Sequence, residues 1–190
     1  MKKTFGRLLV AVAALWLAAS VALAQTEATP QVGGKAQDFA LTTPEGQPVR
    51  LSDLTARGTV VLVVLRGYPG YQCPYCQKQA HDFQLKAGAF KEAGAELLLV
   101  YPGPPDEVSA RAKEFLKPEG ALPANYHLVV DPDYAVTRQY GLRWDAPQET
   151  AYPSTFVIDR SGRVVYRKIS HEHGDRTTAD EVLAEIKKAR

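Results

Sequence analysis

Cysteine is scarce in this chain: among 190 residues there are two, Cys73 and Cys76, and no second close pair of ligands that would complete a structural zinc site. Excess charge is lacking too. Three of the 23 Lys and Arg (Lys2, Lys3, Arg7) and none of the 21 Asp and Glu lie in the first 24 residues, so the formal +2 belongs to that segment and the rest of the chain is close to neutral. Neither nucleic acid nor an anionic membrane is therefore implied as a partner. Nothing repeats, and no long low-complexity segment interrupts the chain.

The three N-terminal cations precede the uncharged stretch LLVAVAALWLAASVALA, which ends in Ala22-Leu23-Ala24. Residues 1–24 read as a secretory signal cleaved before Gln25, which predicts a periplasmic or secreted protein with no stable membrane insertion afterwards. The alternative is an uncleaved N-terminal anchor, although the apolar run is at the short edge for a span. No Cys follows it, so a lipid anchor has no acceptor. Residues 25–34, with Pro30 and Gly33-Gly34, read as a flexible lead-in, and residues 35–190 as one domain with a sizeable core.

The residues that are present centre on 59–83. The apolar run 60–65 (VVLVVL) reads as a strand buried on both faces. A loop with Gly67, Pro69 and Gly70 comes next, then Cys73-Pro74-Tyr75-Cys76, then a helical pattern (Ala80, Phe83, Ala87, Phe90) that Gly94 stops. Cys73 therefore falls at a helix N-terminus, where free N–H groups and the helix dipole favour a thiolate. Pro74 suits the first helical position. A structural disulfide is the ordinary reading of two cysteines in an exported chain. Here a four-residue loop would yield roughly 2 kcal/mol on the loop-entropy formula, little for a domain of this size. The redox reading makes Cys73, exposed at the helix tip, the attacking thiolate and Cys76, one turn deeper, the thiol that resolves.

Elsewhere, residues 39–51 form two short apolar pieces around Pro44-Glu45-Gly46 and predict a hairpin on the sheet edge, with Ser52-Asp53-Leu54 a capped turn. Residues 96–101 (ELLLVY) read as a second buried strand parallel to the first. Asp106 is the expected cap of a helix through Leu116 ended by Lys117-Pro118. Residues 127–130 read as a strand, 131–140 as a short helix closed by Gly141, and 155–158 with 163–169 as strands joined by Asp159-Arg160-Ser161-Gly162. Thr178 and Glu181 form a capping box for the last helix. The order predicts an α/β sandwich around a mixed sheet.

Tyr152-Pro153 enters the 155–158 strand, and a proline there, aimed at the redox pair, would expose backbone groups to an extended substrate. Sequence does not show whether that bond is cis; an edge proline is the plain alternative. His171 and His173 would share a strand face, as a copper or zinc pair would, against a solvated loop. His81 reads as exposed. Asp53, Glu96 and Asp131 have capping, edge or turn explanations.

The stretches GGKAQDFALTTPEGQPVRLSDL, VVLVVLRGYPGYQCPYC, HLVVDPDYAVTRQYGL and YPSTFVIDRSGRVVYR together resemble the alkyl hydroperoxide reductase and thiol-specific antioxidant (AhpC/TSA) family of the thioredoxin-like superfamily, over nearly all of residues 32–189. The resemblance implies a thioredoxin-like fold with Cys73 as nucleophile, Cys76 as resolving thiol, Pro153 in the cis-proline position, no cofactor or metal, and a protein or small-molecule disulfide or thiol as partner. Peroxiredoxins of the family carry a proline seven residues before the reactive Cys, a Thr or Ser three before it, and an Arg three before the TFxxD phenylalanine. Here those positions hold Arg66, Gly70 and Pro153. The missing hydroxyl and guanidinium are groups that would polarise a peroxide, and loss of one such donor costs about a hundredfold or more. Arg-Gly before CPYC resembles peroxiredoxin-like members with such a pair, which makes Arg66 a possible stabiliser of the Cys73 thiolate. The alternative is a strand-end arginine reaching solvent. Gln72 stands where thioredoxins commonly have Trp, and Tyr68, Tyr71 and Tyr75 are either a replacement surface or packing residues. The expectation is an exported thiol-disulfide oxidoreductase, with a thiol peroxidase and a His171/His173 metal binder as rivals.

Overall fold

The computed structural model describes residues 29–189; the expected signal segment and the beginning of the lead-in lie outside the described residues. Seven strands form one mixed sheet: β1 (Ala40–Thr42), β2 (Pro48–Arg50), β3 (Thr59–Val64), β4 (Ala95–Gly103), β5 (Tyr126–Pro132), β6 (Ser154–Ile158) and β7 (Val164–Ile169), in the order β2-β1-β5-β4-β3-β6-β7. The centre, β3-β4-β5, is parallel, while β1 and β6 join it antiparallel. The expected hairpin is β1-β2, lying on the β5 side as an edge.

The β3 run is apolar throughout because each face of the sheet carries its own core. Val61, Val63 and Leu65 point into one layer with Phe83, Phe90, Phe115 and Val182. Val60, Leu62 and Val64 point into the other with Leu54, Val136, Tyr140 and Phe156. The first layer lies under α2 (Pro74–Leu85), α3 (Ala87–Glu92), α4 (Val108–Leu116) and α6 (Ala179–Lys188); the second lies under α1 (Leu51–Arg57) and α5 (Ala135–Gln139). Both cysteines belong to the first layer.

Several local expectations change. The helix after Cys73 is two helices, broken at Lys86 (φ −98°, ψ 6°), with Phe83 and Phe90 stacked across the break at 5.5 Å. Asp106 does not cap α4: the helix starts at Val108, and the Pro104 carbonyl accepts from the Glu107 and Val108 N–H groups. At α1 the cap comes from Asp38, whose Oδ1 accepts the Ser52 N–H at 2.9 Å. Residues 131–140 hold only a five-residue helix, α5. Asp131 is fully buried ahead of it, accepting from the N–H groups of Val136 (3.0 Å) and Thr137 (2.8 Å) and from the Thr137 hydroxyl (2.6 Å). The α6 capping box forms in both directions, Glu181 N–H to Thr178 Oγ1 and Thr178 N–H to Glu181 Oε2. The end of the expected lead-in is tied to β7: Gly33 N–H donates to the Val164 carbonyl at 2.8 Å, and Val164 N–H to the Gly34 carbonyl at 2.9 Å.

Candidate active site

β3 ends at Val64, and Leu65 still donates to the Val100 carbonyl before the chain turns away. Gly67 makes that turn possible. It sits at φ +70°, and a Cβ there would lie 2.0 Å from the Pro102 carbonyl oxygen, so only glycine fits. The loop then delivers Cys73 to the N-cap of α2 in extended geometry (φ −74°, ψ 114°), with Pro74 opening the helix and the Cys73 carbonyl accepting the Gln77 N–H.

Cys73 and Cys76 are free thiols. The Cys76 side chain, donating to Cys73, holds the Cys73 thiol down at about 5. Burial pushes against this shift, while the Cys76 N–H, then the positive charges of Arg176 and Arg66, add to it. Cys76 is wholly buried, and that burial, together with its bond to Cys73, raises its own pKa well above an ordinary thiol's. The pair is thus differentiated as a nucleophilic thiolate and a neutral thiol one turn behind it.

The expected exposure of Cys73 is not found: it is 1% exposed. The segment after β7 folds over the start of α2 and covers it. Gly174 lies against the Tyr75 ring, Gln79 donates to the Thr177 carbonyl at 3.2 Å, and Arg176 reaches both sulfurs, Nη2 lying 3.8 Å from Cys73 Sγ and 3.6 Å from Cys76 Sγ. A cleft of about 330 Å³ opens on the outer side of this cover, lined by Tyr75, Lys78, Gln79, Asp82, Arg176 and Thr177 among others.

The Arg66 backbone N–H faces the Cys76 sulfur, but its guanidinium is neither solvent-facing nor bonded to either sulfur. Its side chain is 2% exposed and is held by Glu149 Oε2 at 2.6 Å, the Tyr71 hydroxyl at 2.6 Å and the Gln148 carbonyl at 2.7 Å. Its effect on Cys73 is correspondingly weaker than that of Cys76 or Arg176. Glu149 also meets His173 Nε2 at 2.8 Å through its other oxygen.

Pro153 is buried, and the bond before it is trans, as is every peptide bond among the described residues. Its carbonyl accepts the Ser170 N–H, and the Tyr152 N–H donates to Leu142. The backbone groups expected to await a substrate strand are already paired within the fold. Pro153 does share a narrow crevice with Gln79, Arg176 and Thr177, so it stands on the same side as the guanidinium. Tyr152 stacks on Trp144 at 4.8 Å and takes the His171 ring edge-on at 4.6 Å. The two imidazoles of the possible metal pair turn to different partners, His173 to Glu149 and Trp144, His171 to Tyr152. His81 is exposed and pairs with Glu119. Gln72 accepts from the Tyr101 hydroxyl and donates to the Arg111 carbonyl. Tyr68 lies under the Arg111 guanidinium, while Tyr71 and Tyr75 stay exposed.

Arg176 and Glu149 give no signal in the sequence, and the one signal for Gln79 is its place one turn after Cys76 on the buried face of α2. Arg176 is 100 residues from Cys76, in a loop whose marked features, the His171 and His173 pair and the helix cap that follows, do not single it out.

A strand-to-helix cysteine pair on a mixed sheet defines a thiol-redox protein of the thioredoxin-like class. The AhpC/TSA family model matches residues 32–167, and the chain belongs to that family. Peroxiredoxin Q of Oryza sativa subsp. japonica is 33% identical over 134 residues, covering 70% of this chain and 57% of the relative. The thiol-disulfide oxidoreductase ResA of Bacillus anthracis is 25% identical over 142 residues, 75% of this chain and 72% of the relative. Among solved structures, peroxidoxin BcpB from Mycobacterium tuberculosis superposes with a TM-score of 0.69 at 27% identity, covering 85% of this chain and 99% of that one.

Proposed function

We propose that this protein is an exported thiol-disulfide oxidoreductase that uses Cys73 as nucleophile and Cys76 as resolving thiol. The observation that carries the reading is the asymmetry of the pair: Cys73 is held down at about 5 by the Cys76 thiol and cationic neighbours, and Cys76 is kept protonated by burial. In the forward direction the Cys73 thiolate attacks one sulfur of a substrate disulfide, and the other sulfur leaves as a thiolate. The Cys76 thiol then gives up its proton and displaces the captured sulfur. The pair ends as a disulfide, its two electrons having reduced the substrate; the same steps run in reverse when the substrate is a dithiol. Arg176 faces the charge on both sulfurs throughout.

Replacing Cys73 by Ser abolishes exchange, and replacing Cys76 by Ser leaves a mixed disulfide that intact-mass measurement detects. Exchange by both variants at the parent's rate would refute the reading. Export is supported by the three cations and apolar stretch at the N-terminus. Cell fractionation with N-terminal sequencing tests it, the expected mature end being Gln25, and a full-length cytoplasmic product the opposing result.

A second reading, thiol peroxidase, is favoured by the peroxiredoxin relatives and by Arg176, which brings to the sulfurs a guanidinium that the Gly70 and Pro153 positions lack. Stopped-flow reduction of hydrogen peroxide separates the two. The oxidoreductase reading predicts consumption no faster than by an ordinary thiol.

A further inference from the structure

Arg176 is not free to take any position over the sulfurs, and what holds it traces back to Arg66. Its Nε donates to the His173 carbonyl at 2.8 Å. The His173 ring meets Glu149 Oε1 at 2.8 Å, and Glu149 Oε2 accepts from Arg66 Nε at 2.6 Å. Arg66 also holds the Tyr71 hydroxyl, in the loop that leads to Cys73. The loop before α2 and the turn before β6 thus meet at one buried guanidinium, and the turn after β7 joins them through Glu149. A second support reaches Arg176 from the helix itself, Gln79 Oε1 accepting from Nη1 at 3.3 Å.

We propose that Arg66 and Glu149 are positioning residues which, through His173, seat the Arg176 guanidinium on the sulfurs of Cys73 and Cys76. The inference rests on the redox reading of the pair but concerns how the reduced site is built. To the through-space pull of the Arg66 charge on Cys73 it adds an indirect role. A cation about 4 Å from a thiolate stabilises it strongly only while its geometry is kept, since the interaction falls with distance and with access of water.

The sign of one measurement separates positioning from direct electrostatics. Glu149→Gln removes a negative charge from the neighbourhood of Cys73. Acting through space, that loss, and the release of Arg66 from its counter-ion, favours the thiolate and lowers the Cys73 pKa. Acting through the chain of contacts, it loosens Arg176 and raises the pKa. The experiment is a titration of ultraviolet thiolate absorbance on the reduced protein, with circular dichroism confirming the fold.

Arg176→Gln is expected to raise the Cys73 pKa by about one pH unit or more. Glu149→Gln and His173→Phe are expected to raise it by a smaller amount in the same direction, and Glu149→Gln to add nothing in the Arg176→Gln background. Arg176→Lys should restore part of the shift. A lowered or unchanged pKa in Glu149→Gln, or an equal effect in both backgrounds, overturns the proposal. Because no substrate is present, these outcomes stand apart from any failure of disulfide exchange, which the cysteine variants report.

Discussion

Two charges are buried at the carboxyl ends of parallel strands, and they are satisfied in opposite ways. Asp131, at the end of β5, is fully buried and accepts three hydrogen bonds from residues five and six positions further on. Arg66, just beyond β3, is 2% exposed and finds Glu149 and the Gln148 carbonyl 83 and 82 positions away. The first arrangement closes on itself and fixes one short helix. The second draws three loops together around two sulfurs. Both avoid an unpaired buried charge, but only the non-local one assembles chemistry.

Breaking each network should show this difference. Arg66→Ala leaves the Glu149 carboxylate, 11% exposed, beside an empty site, and a loss of about 3–5 kcal/mol is expected in urea unfolding, with weaker thiolate character at Cys73. Asp131→Ala strands two N–H groups and a hydroxyl, at about 1–3 kcal/mol for each group left buried and unpaired, less the relief of the buried carboxylate, and should leave the pH profile of Cys73 alkylation where it was. Equal disturbance of Cys73 by both variants would erase the distinction.

The pH dependence of stability sharpens it further, because Cys73, at the centre of the non-local network, and Asp131 contribute with opposite sign. The Cys73 pKa is depressed from 9.0 to about 5 in the folded protein. Its stabilisation is complete above the unfolded value and is lost as pH falls through the folded one, so the reduced protein gains stability between about pH 5 and pH 9, by at most about 1.4 kcal/mol per pH unit. Cys73→Ser should flatten that rise. For Asp131 burial raises the pKa above 3.8, against the pull of its hydrogen bonds. Its contribution is therefore greatest at low pH and declines as pH climbs from 3.8 through the folded value; Asp131→Asn should remove that decline. Least affected of all should be Lys86→Ala, whose 43% exposed side chain forms a surface pair with the 73% exposed Asp180. Its thermal midpoint is expected within error of the parent.

The same division between local and non-local contacts separates the features legible in the sequence from those that are not. The both-faces-buried β3, the β1-β2 hairpin, the Thr178-Glu181 box and the Cys73 helix start each declare themselves within a few residues. The family is legible because CPYC and PSTFVID are short contiguous patterns. The contacts that cover Cys73 are not. Arg176 and Glu149 carry no periodicity or spacing relative to the cysteines, Gln79 shares only the buried face of α2 with Cys76, and their roles arise when the turn after β7 folds across α2. For the same reason sequence suggests an exposed Cys73 where the fold buries it: a helix tip is open only if no other segment is placed over it. Arg66 stands out in the sequence as a charge that favours the Cys73 thiolate, as its charge does in the fold, but sequence shows proximity along the chain and not which carboxylate claims the guanidinium.

The cycling of Cys73 and Cys76 between dithiol and disulfide is tested by their redox equilibrium in glutathione buffers, read by intact mass after acid trapping. A single two-electron transition between dithiol and intramolecular disulfide is expected, about 30 mV per tenfold change in ratio, and it should disappear in Cys76→Ser. A protein that stays dithiol at every buffer ratio, or that gains only a glutathione adduct, would contradict the assigned chemistry.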